Sequence, residues 1–289
     1  MIPSAGMQPG AAYLLDKAAG STSRKAAAAV AVSWGYRKFG HAGTLDPDAT
    51  GLLIVLLGKA TRLARFISSR EKTYEFGIRL GMTTDTDDTG GKVLERRPVD
   101  GVSRESLMEA VRHFTGGFDQ KVPSFSAVRV NGRRAYEMAR KGEEPDTPVR
   151  RVTAEDWRLV SWDGSSSARM SVTVSSGTYV RALARDIGER LGTGGTAFGI
   201  RRTAIGDFDL EEASEVPDSP GSIIDMAGIL RGYSRRVLED EEVTQVSHGS
   251  SIPGDQVGVT ALLRPDGSLL AVAEGDGETL RPKCVMVEV

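Results

Sequence analysis

The stretch Lys38-Phe39-Gly40-His41-Ala42-Gly43-Thr44-Leu45-Asp46-Pro47-Asp48-Ala49-Thr50-Gly51 decides how this chain of 289 residues is read. It is dense in glycine and sets an Asp-Pro step just before the apolar run Leu52–Leu57. Small residues around Asp46 let a planar ligand approach the backbone closely. Pro47 removes a donor and fixes the exit of the turn. Alone, an Asp-Pro step is an ordinary turn; its weight comes from what surrounds it.

Upstream, Ser21-Thr22-Ser23 caps an alanine-rich helix predicted from Arg24 to Trp34 and ended by Gly35. Downstream, Gly51 introduces the strand Leu52–Leu57. After Gly58 a short helix places Ala60, Leu63, Ala64 and Ile67 on one face. Tyr74, Phe76, Ile78 and Leu80 alternate with mostly polar residues, as in a half-buried strand. Ser103 caps a further helix with Leu107, Val111 and Phe114 turned inward.

From Phe118 to Arg151 the chain is basic and carries Pro123, Asn131-Gly132, Pro145 and Pro148, an excursion from the core that is helical at Arg134–Lys141. Met170, Val172 and Val174 mark a strand. Val180, Leu183, Ala184, Ile187 and Leu191 define an amphipathic helix stopped by Gly192. Past Arg236 an acidic run precedes short β segments at Val257–Leu263, Leu269–Ala273 and Val285–Val289, with a turn at Pro265-Asp266-Gly267. The expected organisation is an α+β domain over residues 1–236, then a small all-β domain over 237–289.

With 39% hydrophobic and 26% charged residues, the chain reads as an ordinary globular protein. Its single cysteine, Cys284, cannot form an internal disulfide, which fits a reducing cytoplasm. The N-terminus lacks the pattern of a secretory signal, and Leu52–Leu57 is too short to span a bilayer. A net charge of −2 argues against nonspecific coating of nucleic acid. The basic bunches, including Arg201/Arg202, read by themselves as solvated faces.

Several chemical signals fail. Gly58-Lys59 is followed by Ala60 where a phosphate loop needs a hydroxyl for magnesium. Gly192-Thr193-Gly194-Gly195 follows a helix, so it is no dinucleotide fingerprint. Asp85-Thr86-Asp87-Asp88-Thr89, flanked by Gly81 and Gly90-Gly91, reads as a solvated turn rather than a metal or phosphoryl-transfer site. His41, His113 and His248 are scattered, and none has metal-ligand spacing with another.

Residues Gly40 to Gly51 match every specified position of G-H-x-G-T-L-D-P-x-A-T-G, and there the chain resembles the TruB family of pseudouridine synthases. Lys72-Thr73-Tyr74-Glu75-Phe76 and Gly177-Thr178-Tyr179-Val180-Arg181, with Arg201-Arg202 beyond, are similar to further family elements. Weaker matches run through Leu15-Asp16-Lys17…Gly20-Ser21-Thr22-Ser23, Ser126 to Gly132, and Tyr136 to Gly142. Ala18 and Phe125 depart from the pattern, standing where proline and tyrosine are usual.

The resemblance implies a pseudouridine-synthase fold, with a mixed, mostly antiparallel central sheet flanked by helices and a PUA-like C-terminal domain. It also implies isomerisation of uridine 55 in the tRNA T-loop, with no cofactor and no metal. Asp46 takes the catalytic role. Arg181 keeps Asp46 ionised in a pocket that disfavours charge. Tyr74 stacks on the target base and serves in proton transfer. His41 helps hold the T-loop, and Tyr179 and Ile200 line the uracil pocket.

The insertion at 118–151 grips RNA, with Arg129, Arg133 and Arg134 as phosphate contacts, and the C-terminal domain meets the acceptor stem. The expected state is a cytoplasmic monomer that needs neither membrane nor protein partner. Two other readings stay open: a guide-RNA-dependent synthase of the dyskerin type, and a noncatalytic tRNA-binding chaperone.

Overall fold

The structure, a computed structural model, describes residues 10–286. The chain forms two compact units. One holds the described residues up to Pro47, Gly51–Ser69, and those from Gly206 on; the other holds Asp48–Thr50 and Arg70–Ile205.

In the first unit the strand Gly10–Lys17 lies antiparallel between Thr50–Gly58 and Ile223–Asp225, and Phe39–Ala42 pairs with Thr50–Gly58. Every residue of Leu52–Leu57 is fully buried, which explains a continuous apolar run where a half-exposed strand would alternate. The expected helix spans Ser23–Ser33; Thr22 caps it by accepting from the Lys25 N–H, and Gly35 leaves it at φ 70°. Its Ala27, Val30 and Ala31 pack on Tyr13, Leu53, Val55 and Leu57. The short helix after Gly58 comes in two pieces, a 3-10 turn at Lys59–Leu63 and an α turn at Ala64–Ser68. Phe66 is buried there, and Ala64 is only half-buried.

The C-terminal strands run in the order Ser234–Val237, Val257–Leu263, Leu269–Asp276, Thr279–Val285, Ile252–Pro253. The strand expected at Val285–Val289 starts earlier, at Thr279, and residues 287–289 lie outside the described residues. Pro282 disguised it in the sequence, and Pro282 sits beside a register shift, where a strand tolerates proline. One helix, Asp240–Ser247, accompanies these strands in a segment expected to be all β. Its acidic run is a helix start: Glu239 and Glu242 form a capping box, and Asp240 and Glu241 complement the positive end of the helix dipole.

In the second unit five antiparallel strands run in the order Gly195–Ile205, Lys72–Leu80, Ser167–Val174, Val149–Trp162, Gly116–Lys121. Tyr74, Phe76, Ile78 and Leu80 are buried as their alternation predicts, and Arg79 is exposed. The helix Val180–Arg190 packs on the strands Lys72–Leu80 and Gly195–Ile205. Gly192 to Gly195 return the chain from that helix into a strand at very short range. A Cβ on Gly188 would lie 2.3 Å from backbone atoms of Gly194 and Gly195. The basic excursion contains a two-stranded hairpin, Arg129–Val130 with Arg133–Arg134, turned by Asn131-Gly132, then the short helix Ala135–Ala139. Among the described residues no helix is long and apolar enough to cross a membrane.

Candidate active site

The Asp46 loop is fixed through its neighbours. Phe39–Ala42 ends in Gly43, whose φ of 80° turns the chain out of the strand. Leu45 is buried, and both of its peptide groups are held by the buried Ser23: its N–H donates to Ser23 Oγ at 2.8 Å, and that hydroxyl meets the Leu45 carbonyl at 3.0 Å. On the other side the Pro47 carbonyl accepts from the Gly20 N–H and from Lys17 Nζ, both at 3.0 Å. Lys17 is 1% exposed and also donates to the carbonyls of Ala18 and Ser21. Asp46, between these pinned residues, is exposed, whereas the family resemblance implies a pocket that disfavours charge. Its loop thus holds the backbone rigidly and leaves the side chain at the surface.

His41 is half-buried on the strand Phe39–Ala42, opposite Val55. Ser23 and Lys17 are visible in the sequence only as a helix cap and part of a weak match. Their contacts to Leu45 and Pro47 span distances no local pattern encodes.

In the second unit Tyr179 precedes the helix Val180–Arg190 at its N-cap and offers no side-chain cap. Gln120, buried on the strand Gly116–Lys121, instead holds both backbone groups of Tyr179. Its Oε1 accepts from the Tyr179 N–H at 2.8 Å and its Nε2 donates to the Tyr179 carbonyl at 3.2 Å. Arg181, buried in the first turn, stands where the helix dipole disfavours a cation. Two carbonyls and a carboxylate compensate. Nη1 donates to Thr86 O at 2.5 Å, Nη2 donates to Phe125 O at 3.0 Å, and Nε lies 3.7 Å from Asp88 Oδ2.

The aspartate cluster is therefore more than a solvated turn. Asp85 and Asp88 do brace the loop, accepting from the backbone N–H groups of Lys92 and Gly90. Asp87, however, pairs with Arg185 at 2.9 Å, and Asp88 faces Arg181. Burial pushes the Asp87 carboxyl up, against the opposing pull of the Arg185 and Arg181 charges. Arg181 and Arg185, one helical turn apart, are the signal in the sequence that points to this pairing. Among the described residues no group of His, Cys, Asp and Glu could hold a metal ion.

Tyr74 is buried and pairs in register with Val172 on one side and Arg202 on the other. Arg202 Nη1 lies 3.5 Å from Tyr74 Oη, with its guanidinium carbon 6.0 Å from the ring centroid. Arg202, expected on a solvated face, is fully buried. Lys72, on the same strand face as Tyr74, is buried too and donates to Arg70 O at 2.6 Å. Burial first, then the Arg202 charge, lower its ammonium to about 8. Tyr179 and Ile200 are half-buried, and Ile200 lies in the irregular stretch between Phe198 and Arg201.

The three candidate phosphate contacts differ. Arg129 is exposed and donates to Gly132 O at 3.0 Å. Arg133 is forked onto Glu143 at 2.7 and 2.8 Å, and Arg134 is tied to the Ala127 carbonyl.

Residues 32–180 match the TruB family pseudouridylate synthase N-terminal domain. A tRNA pseudouridine synthase B from Thermobifida fusca (strain YX) is 41% identical over 283 residues, covering 94% of this chain and 97% of the relative. That of Azoarcus sp. (strain BH72) is 40% identical over 280 residues, covering 93% and 92%. Of solved structures, an H/ACA RNP bound to a substrate RNA containing 2'-deoxyuridine gives a TM-score of 0.73 at 20% identity, over 96% of this chain and 85% of that one. A Cbf5-Nop10-Gar1 complex gives 0.71 at 22% identity, with the same coverage. At such identities the solved structures share the fold alone. The identity to the sequence relatives runs along nearly the whole of both chains, and on it this chain belongs to the TruB family of pseudouridylate synthases.

Proposed function

We propose that this chain isomerises uridine to pseudouridine in tRNA, at uridine 55 of the T-loop, with Asp46 as the catalytic carboxylate. The observation that carries the reading is the way Asp46 is offered: an exposed side chain on backbone pinned at Leu45 by Ser23 and at Pro47 by Lys17 and Gly20. A reacting group held this way loses little entropy when substrate arrives.

The reaction breaks the N1–C1′ bond, turns the uracil, and joins C5 to C1′. A carboxylate serves it by adding to an electron-poor centre and leaving again, or by assisting departure of the base through charge and proton transfer. Both routes need Asp46 ionised, and Arg181 is the guanidinium assigned to that task. Tyr74 stacks on the flipped base, with its hydroxyl beside Arg202. His41, Tyr179 and Ile200, each half-buried, have surface left to meet the T-loop and the uracil. Because Asp46 is exposed in the protein alone, the dry surroundings that strengthen the electrostatics come with the RNA. Extruding the base costs a few kcal/mol, offset by loop contacts.

The excursion at 118–151 supplies phosphate contacts, Arg129 first among them, and the C-terminal strands meet the acceptor stem. The chain works as a monomer without a guide RNA. Incubating pure protein with an unmodified tRNA transcript and mapping pseudouridine tests this directly. The expected product is confined to the T-loop position; product only when a guide RNA is added favours the dyskerin-type reading, and tRNA binding with no product favours the chaperone. Asp46→Asn is expected to bind tRNA and form no pseudouridine, and turnover at the parent rate sinks the assignment of Asp46.

A further inference from the structure

We propose that Arg185 is a positioning residue for the reaction: through Asp87 it sets the loop that holds Asp88 against Arg181. The inference rests on the role given to Arg181 above. Arg181 and Arg185 are four residues apart on the helix Val180–Arg190 and so share a face. Each takes one of two consecutive carboxylates. Arg181 Nε lies 3.7 Å from Asp88 Oδ2, and Arg185 Nη1 lies 2.9 Å from Asp87 Oδ2.

Consecutive side chains of an extended segment point to opposite sides. Here the backbone of Asp87 stands at φ 61°, which breaks that alternation and brings both carboxylates to one helix. A left-handed conformation is uncommon for a residue with a Cβ, and although Asp adopts it more readily than most, the Arg185 guanidinium helps to select it here. Besides Asp87 it donates from Nε to Asp186 Oδ1 at 2.8 Å and from Nη2 to Lys121 O at 2.9 Å. It thereby ties the loop, the helix and the end of a strand together. The Ala197 N–H, donating to Asp87 O at 2.9 Å, fixes the loop from the neighbouring strand. The Arg185 and Asp87 side chains are 21% and 14% exposed, so little water is available to replace either partner. Without Arg185 the Asp87 carboxylate loses this partner, and the Ala197, Thr86 and Gly90 contacts are left to hold the loop that sets Asp88 against Arg181.

The test uses the full chain with Arg185→Met, Asp87→Ala, Asp87→Asn, Asp88→Asn and the Arg185→Met/Asp88→Asn double variant. Three quantities are read: single-turnover rate at saturating tRNA, tRNA affinity, and amide hydrogen exchange over residues 85–91. Arg185→Met and Asp87→Ala are each expected to slow the rate by about ten- to a hundredfold, with affinity little changed and exchange at 85–91 faster. Asp87→Asn keeps an acceptor for Arg185 and tolerates φ above zero, so it restores most of the rate. In the Asp88→Asn background, Arg185→Met should add less than about threefold, because what it positions is already lost. Independent, multiplying losses, or a slow Arg185→Met with unchanged exchange at 85–91, overturn the proposal. An unaltered chain that makes no pseudouridine instead overturns the reading of the active site. Exchange at 85–91 then decides the anchoring alone: faster in Arg185→Met upholds it, unchanged overturns it.

Discussion

Ser23 holds Leu45 by both its peptide groups, with 2.8 Å from the Leu45 N–H to the hydroxyl and 3.0 Å from the hydroxyl to the Leu45 carbonyl. One side chain from the first turn of a helix thus determines the backbone of the residue before Asp46. Ser23→Ala leaves that buried N–H unsatisfied and is expected to cost about 1–3 kcal/mol of stability. Loosening the carboxylate should also slow single turnover by roughly tenfold or more. Denaturant titration and rapid-quench assays check the two parts. A lower stability with an unchanged rate would show that Ser23 serves the fold and not the loop.

Lys72 carries a pH signature. Its ammonium, lowered to about 8 from the ordinary 10.5, gives up its proton in the folded chain before it does in the unfolded one. Between those values the unfolded state binds more protons, so this group's contribution to stability rises with pH across that window. Lys72→Met should remove that rise. The measurement is the difference in melting temperature between parent and variant from pH 7 to 10.5; a difference independent of pH contradicts the burial of a charged Lys72.

Gly188 is required by contact. A methyl group there would lie 2.3 Å from the backbone at Gly194 and Gly195, which cannot give way as a side-chain tip can. Gly188→Ala is expected to destabilise by about 3 kcal/mol, as overpacking does. It should also slow catalysis, since the helix it displaces carries Arg181. Calorimetry with a rate assay on the remaining folded fraction distinguishes the two effects, and a fully stable Gly188→Ala chain would refute the close packing.

The arginines of the excursion are expected to be unequal. Arg129→Ala should weaken tRNA binding and reduce the slope of log affinity against log salt by about 1. Arg133 already faces Glu143 through two short contacts, so Arg133→Ala should change that slope less. Glu143→Gln, which frees Arg133, should strengthen binding at low salt. Filter-binding titrations at several salt concentrations decide it; equal slopes for both alanine variants contradict the distinction.

The features legible in the order of residues are those written locally. Alternation at Tyr74 to Leu80, the Thr22 cap, the Gly35 and Gly192 stops and the hairpin at Gly267 depend on neighbours a few residues apart. The strand Val257–Leu263 falls where its pattern places it. The strand through Pro282 and the helix Asp240–Ser247 escape such a reading because proline and acid runs also mark loops. Only their tertiary setting, a register shift in one case and a helix N-terminus in the other, makes them regular structure.

For the site the division is sharper. The Asp46 loop was legible in the amino-acid order alone, since ten of twelve adjacent positions match the specified residues of the family pattern. Whether a charge is buried or solvated was not, because that depends on partners distant in the chain. Lys17 meets Pro47, Arg202 meets Tyr74, and Arg185 meets Asp87, across separations that no periodicity records. A cation in isolation reads as surface, since removing it from water costs more than one neighbour can return. Folding alone brings the carbonyls, rings and carboxylates that compensate, and so decides which charges of this chain lie inside.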